Sequence, residues 1–117
     1  MFIRMEGNEA QPYFLRVAAG VRRAIAEESV APGERLPQAK ELAEGLGVNL
    51  HTVLRAYGVL RDEGLVEMGR GRAVRVAPAA SAGRARVAEM VERLAAEARR
   101  WGLAPEEAGA LVTEAMR

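Results

Sequence analysis

VNLHTVLRAYGVLRDEGLV, residues 48–66, runs straight into EMGRGRAVRV, residues 67–76. Asn49 is a helix N-cap residue type, because its side-chain oxygen can accept from the backbone N–H of His51 or Thr52, donors that a helix start leaves unpaired. A helix is predicted from there to Glu63. At about 100° per residue, Val53, Ala56, Tyr57 and Leu60 fall in one narrow sector, while His51, Arg55, Gly58 and Asp62 point the other way. One face is therefore anchored and the other carries hydrogen-bond donors. Gly64 stops the helix. Leu65–Met68 and Ala73–Val76 read as two short strands whose turn takes its backbone freedom from Gly69 and Gly71. An anchored helix followed at once by a basic hairpin predicts a helix-turn-helix with a wing, a device suited to reading double-stranded DNA.

Upstream, Pro12 opens a helix predicted to reach about Glu28, with Phe14, Val17, Ala18, Val21 and Ile25 on one face. Pro32-Gly33 breaks the chain. Pro37 is placed for the first turn of a second helix, whose inner stripe is Ala39, Leu42, Ala43 and Leu46, and Gly47 supplies its left-handed stop. A short strand is expected at Phe2–Met5. Downstream, residues 77–83 have no periodic apolar signal and read as a linker. Val87, Met90, Val91, Leu94, Ala95, Ala98 and Trp101 then recur at spacings of three and four, which predicts an amphipathic helix of about 16–18 residues ended by Gly102. Pro105, Glu106 and Glu107 open a last helix with Ala108, Leu111, Val112 and Ala115 as its stripe. The predicted fold is mainly α with a small β-hairpin: a winged helix-turn-helix domain over 1–77, a linker over 78–83, and two helices over 84–117. Those two helices cannot bury their apolar faces alone and need the head or a second copy of themselves. Val87, Met90, Val91, Leu94, Trp101, Leu111 and Val112 are the candidate dimerisation residues.

The 117 residues allow one compact domain with an appendage. Cysteine is absent, which excludes disulfides, thiolate metal sites and a cysteine nucleophile. No apolar run approaches the roughly 20 residues that span a bilayer, so a cytoplasmic protein without a membrane partner is expected. Net charge is only +1, and the field must be local. Arg70, Arg72 and Arg75 lie between Met68 and Ala77 without an acid, whereas from Ala79 onward six arginines face six glutamates. The positive field is thus concentrated at the hairpin. No pair of acids with a nucleophile, no phosphate-cradling glycine loop and no metal-spaced ligand set occurs, so neither an enzyme nor a cofactor is expected.

Reading DNA needs donors on the outer, N-terminal turns of the third helix. Arg55 suits a bidentate contact to guanine or phosphate, and its alternative is a solvated charge paired with Asp62 or Glu63. His51, the only histidine, is a donor to DNA or an uninvolved surface group. Leu50 can touch a thymine methyl. Glycine in mid-helix costs about 1 kcal/mol relative to alanine, and close backbone approach to DNA is one compensation for Gly58. Arg70 and Arg72 read as phosphate or minor-groove contacts, or as charges that guard a sheet edge.

Phe14 to Val76 resembles the winged-helix domain of the GntR family of bacterial transcription regulators. The resemblance rests on Pro32-Gly33-Glu34-Arg35-Leu36-Pro37, Glu41-Leu42-Ala43, Leu46-Gly47-Val48-Asn49, Thr52-Val53, Arg55-Ala56-Tyr57 and Glu63-Gly64-Leu65-Val66. Gly102-Leu103-Ala104-Pro105-Glu106-Glu107 between the last two helices resembles the YtrA subgroup, which has two dimerising helices in place of a large effector domain. The resemblance implies DNA contacts from Lys40, which stands at a phosphate-binding arginine position, from Asn49, His51 and Thr52 at the entry of the recognition helix, from Arg55, and from Arg70, Gly71 and Arg72 at the wing tip. Gln38 replaces the family's common serine, leaving the capping box with Glu41 incomplete. A homodimeric repressor reading an inverted-repeat operator is implied, with half-sites about 34 Å apart. A small-molecule effector has no identified site. The competing expectation is a winged-helix module that joins proteins and never touches DNA.

Overall fold

Pro12, whose φ of −56° already suits a helix, is the N-cap from which α1 (Tyr13–Ala26) departs. The computed structural model describes residues 3–69, 71 and 73–117. After α1 come α2 (Ala39–Leu46), α3 (Leu50–Asp62), the strands β1 (Val66–Met68) and β2 (Val74–Val76), α4 (Ala82–Arg100) and α5 (Pro105–Ala115). The predicted winged helix-turn-helix, mainly α with one hairpin, is the observed architecture. Its core joins Val17, Val21 and Ile25 of α1 to Val53, Ala56, Tyr57 and Leu60 of α3, with Leu42 and Ala43 of α2 closing one end and Leu65, Val66 and Val76 the other. All four members of the inner stripe predicted for α3 are fully buried.

The turn between α2 and α3 is fixed by two local devices. Gly47 takes φ 69°, ψ 34°, and its N–H and that of the following Val48 both reach back to the Ala43 carbonyl, the latter at 3.0 Å, which closes the last turn of α2. Pro37, expected inside the first turn of α2, lies ahead of it. Gln38 is the extended N-cap (ψ 149°) and makes no side-chain cap bond. The Pro37 carbonyl instead accepts from the Tyr57 hydroxyl at 2.7 Å. Burial first, and the Glu41 carboxylate second, push the Tyr57 phenol well above its ordinary pKa, so it stays a donor in this contact.

The hairpin pairs Val66 with Val76, Glu67 with Arg75 and Met68 with Val74. Beyond β2, the segment after the Pro32-Gly33 break runs alongside as a third, bridge-like rung: Leu36 N–H donates to Val74 O at 2.8 Å, Val76 N–H to Glu34 O at 2.9 Å and Gly33 N–H to Val76 O at 2.8 Å. That covering removes the free edge of β2. At the other terminus, the strand expected at Phe2–Met5 is not formed over residues 3–5, and Phe2 lies outside the described residues. Ile3 enters the core, and the chain crosses α1 at Gly20, where a Cβ would collide with the Arg4 carbonyl oxygen.

Residues 78–83, read as a linker, are a tight connection that leads into a helix. Ala77 N–H donates to Leu65 O and Ala80 N–H to Ala77 O, each at 2.9 Å, and Ala80 is fully buried. Ser81 then caps α4, its hydroxyl accepting from Arg84 N–H at 3.0 Å, so the helix starts at Ala82 and runs 19 residues. Small side chains explain the difference, because Ala80 and Ala85 let the backbone sink onto the core.

α4 lies along α1, held by a buried charge. Arg22 is 2% exposed, and its Nε and Nη2 donate to the two Glu63 carboxylate oxygens at 2.7 and 2.6 Å. Glu92 of α4 stands 3.9 Å from the same guanidinium, and Arg23 pairs with Glu89 at 3.3 Å. At about 100° per residue, Ala85, Ala88, Glu89 and Glu92 form the side of α4 that meets α1. Val87, Met90, Val91, Leu94 and Trp101 lie on the opposite side and are exposed, Trp101 by 69%. α5 folds back on the end of α4 near the buried Ala98, and none of its own residues is buried. Among the described residues no helix is long and apolar enough to cross a membrane.

Glu63→Gln strands the buried Arg22 charge and should lower the unfolding free energy by about 3–5 kcal/mol. Arg22→Met leaves only the partly exposed Glu63 carboxylate and should cost less than Glu63→Gln, and Glu89→Gln, whose partner Arg23 is half exposed, should cost less than about 1 kcal/mol. Urea unfolding at one fixed chain concentration measures this. Equal midpoints for all three variants would show that the buried pair does not govern the packing.

Candidate nucleic-acid interface

Asn49 sets the start of α3 as predicted. Its backbone is extended (φ −70°, ψ 145°), and its side chain accepts from His51 N–H at 2.7 Å. With the cap fixed and the inner stripe buried, the remaining positions fall into an ordered outer surface. Leu50, Leu54 and Arg61 flank the side nearer the hairpin, and His51, Gly58 and Asp62 run along the middle. Arg55 stands toward α1, with Thr52 half-buried beyond it. The positive end of the α3 dipole lies at the same end.

The structure brings Lys40, Leu50 and Gly71 to one hollow between the start of α2, the start of α3 and the hairpin, with Leu54 and Met68 as its apolar floor. Asn49 and His51 belong to the turn beside it. Gly71 is exposed at φ 75°, in the left-handed region that a hairpin tip of this kind requires. Arg70 and Arg72 lie outside the described residues. Arg75, counted with them in the sequence, belongs elsewhere. It sits opposite Glu67 within the sheet and donates to the Gly33 carbonyl at 3.4 Å, on the side where the third segment runs.

Arg55 does not form the pairing with Asp62 or Glu63 that the sequence left open. Asp62 is engaged by Arg61 at 3.5 Å and Glu63 by Arg22. The Arg55 guanidinium lies instead over the ring of Phe14, 3.8 Å from its centroid. Phe14 was placed with the buried stripe of α1 but is only half-buried, since it stands at the end of that stripe where the core meets the surface. Sequence reasoning passed over Phe14, Leu54 and Arg61 as parts of this surface. The spacing Leu50 to Leu54, one helical turn, was the available signal for Leu54. Among the described residues no three His, Cys, Asp or Glu side chains are grouped to hold a metal ion.

Comparison with known proteins follows the same outline. The sequence profile of the bacterial regulatory proteins of the gntR family matches residues 14–76. The HTH-type transcriptional repressor YtrA of Bacillus subtilis (strain 168) is 30% identical over 70 residues, covering 60% of this chain and 54% of that protein. YtrA from Sulfolobus acidocaldarius, a GntR-family transcription factor, is 26% identical and superposes with a TM-score of 0.59 over 97% of this chain and 96% of its own. AraR(DBD), solved in complex with operator ORX1, is 26% identical and matches 66% of this chain and 93% of its own with a TM-score of 0.57. The chain spans about half the length of the curated relatives it matches.

Within the protein, Gly58 has no need to be glycine, because a Cβ there would meet only the Arg61 Nη2 atom at 3.9 Å. Gly58→Ala should accordingly raise the unfolding free energy by about 0.5–1 kcal/mol. Denaturant unfolding measures it, and a lowered midpoint would reveal crowding on this face.

Proposed function

The chain belongs to the gntR family of bacterial regulatory proteins, and on that premise we propose that it is a sequence-specific, double-stranded DNA-binding transcription regulator acting in the cytoplasm as a homodimeric repressor. The observation that carries this reading is the division of α3. Its inner stripe is fully buried, while its outer side presents Leu50 beside Lys40 and the hairpin, His51 along the middle, and Arg55 toward α1 with Thr52 half-buried beyond it. Lys40, Asn49, Arg70, Gly71 and Arg72 contact phosphates and set the register, and the outer face of α3 selects the sequence. Gly58 leaves the helix backbone open to close approach. The likeness to AraR(DBD), solved on an operator, supports DNA as the partner, and the likeness to a transcriptional repressor supports repression. No catalytic step and no cofactor belong to this reading.

The dimer is carried by the far side of α4. Val87, Met90, Val91, Leu94 and Trp101, with Leu111 and Val112 of α5, are large apolar side chains left in solvent by the single chain. An apolar stripe of this length marks an interaction surface. A second copy related by a two-fold axis satisfies both stripes at once and presents two recognition helices to major grooves about 34 Å apart on an inverted repeat.

Two measurements test the proposal. Fluorescence titration of labelled duplexes should show affinity falling steeply between about 50 and 200 mM salt, since each neutralised phosphate releases counterions. A chain that binds no duplex at 50 mM salt would instead be a protein-joining module. Leu94→Ala should weaken self-association by about 2–5 kcal/mol, read by analytical ultracentrifugation. A variant that stays dimeric at wild-type concentrations would move the interface off this stripe.

A further inference from the structure

We propose that Phe14 is a positioning residue for DNA recognition: its ring is a platform that holds the Arg55 guanidinium ready at the α1 edge of the reading surface. The inference rests on the reading of α3 as the recognition helix. An arginine on an exposed helix face ordinarily samples many rotamers, and binding must freeze them. Here the guanidinium lies over an aromatic face with 3.8 Å between its carbon and the ring centroid, close enough for the cation and the negative ring face to attract. A planar group lying over a ring keeps its N–H edges free. Those edges are what make a two-pronged contact to guanine or phosphate, so the platform fixes the side chain without using its donors.

Three further observations favour a built device over a chance contact. The acids nearest in sequence, Asp62 and Glu63, are already engaged by Arg61 and Arg22, which leaves the Arg55 charge available to an outside partner. Phe14 sits three residues before Val17 and seven before Val21, so the core that locks α1 against α3 also fixes how far the ring stands from Arg55. Finally, Phe14 is half-buried, and its place at the end of the core stripe gives the platform a rigid support.

The test uses the full chain and three variants: Phe14→Leu, which keeps an apolar side chain but removes the ring; Phe14→Tyr, which keeps the ring; and Arg55→Ala. In the free protein, the Arg55 Nε–H resonance, assigned by its loss in Arg55→Ala, should be shifted upfield by the ring, retain that shift in Phe14→Tyr and lose it in Phe14→Leu. On the duplex selected by the wild-type chain, and on duplexes carrying one altered base pair, Phe14→Leu should lose about 2- to 5-fold in discrimination, Phe14→Tyr should restore it, and Phe14→Leu should add nothing once Arg55→Ala is present. Wild-type discrimination in Phe14→Leu, with discrimination lost in Arg55→Ala, would overturn the platform and leave DNA reading by Arg55 standing. Wild-type behaviour of Arg55→Ala would overturn it at the earlier step, by removing Arg55 from the contact surface. Tighter binding by Phe14→Leu would overturn it in the opposite sense, because the ring would then be withholding the arginine. Should Phe14→Leu unfold, Phe14→Met carries the same comparison.

Discussion

Arg22 of α1 is the one charged side chain buried among the described residues, and α3 and α4 each bring a carboxylate to it. A desolvated guanidinium is tolerated only with a partner in near-ideal geometry. Glu63 supplies that partner as a two-pronged acceptor at 2.7 and 2.6 Å, and it does so from the C-cap of α3. The end of α3 is thereby pinned to the C-terminal half of α1. Glu92 of α4 faces the same guanidinium, so one buried charge sets the relative placement of three helices.

The consequence is that α1 supports α3 at its C-terminal end and along its middle. At the C-terminal end the link is the Arg22–Glu63 pair, the buried Val17 and Val21 of α1 share one core with Val53 and Ala56 of α3, and in mid-helix the Phe14 ring meets Arg55. A helix gripped in this way presents its outer side chains from a rigid base, which the proposed discrimination between nearly identical DNA sequences requires. α4 adds a second consequence. One side of it is committed to α1 by Ala85 and the ion pairs, and the other is left in solvent, so in the proposed homodimer the packing within each chain sets the spacing of the two heads.

The start, inner stripe and flanking turns of α3 were legible because their determinants are local. A cap bond spans two residues, the inner stripe repeats every three or four, and Gly47 and Gly71 mark positive φ where the chain turns. The hairpin was legible for the same reason. What could not be read were contacts between distant segments. Arg22 and Glu63 are 41 residues apart and Arg23 and Glu89 are 66 apart, and nothing in either neighbourhood announces the other. The rung that residues 33–36 add beside β2 was hidden because the Pro32-Gly33 break looked only like an interruption. Phe14 fits the helical period of the core, and periodicity alone does not show where a core ends. The apolar stripe on α4 was recognised, but the sequence could not say that alanines and glutamates on the opposite side would dock the helix onto the head.

The central claim is that the outer face of α3, paired by two-fold symmetry, reads a DNA sequence. Selection of bound duplexes from a random pool by the 117-residue chain tests it most directly. The expected result is enrichment of an inverted repeat whose half-sites are centred about one helical turn apart. A bound pool indistinguishable in sequence from the starting one would contradict it.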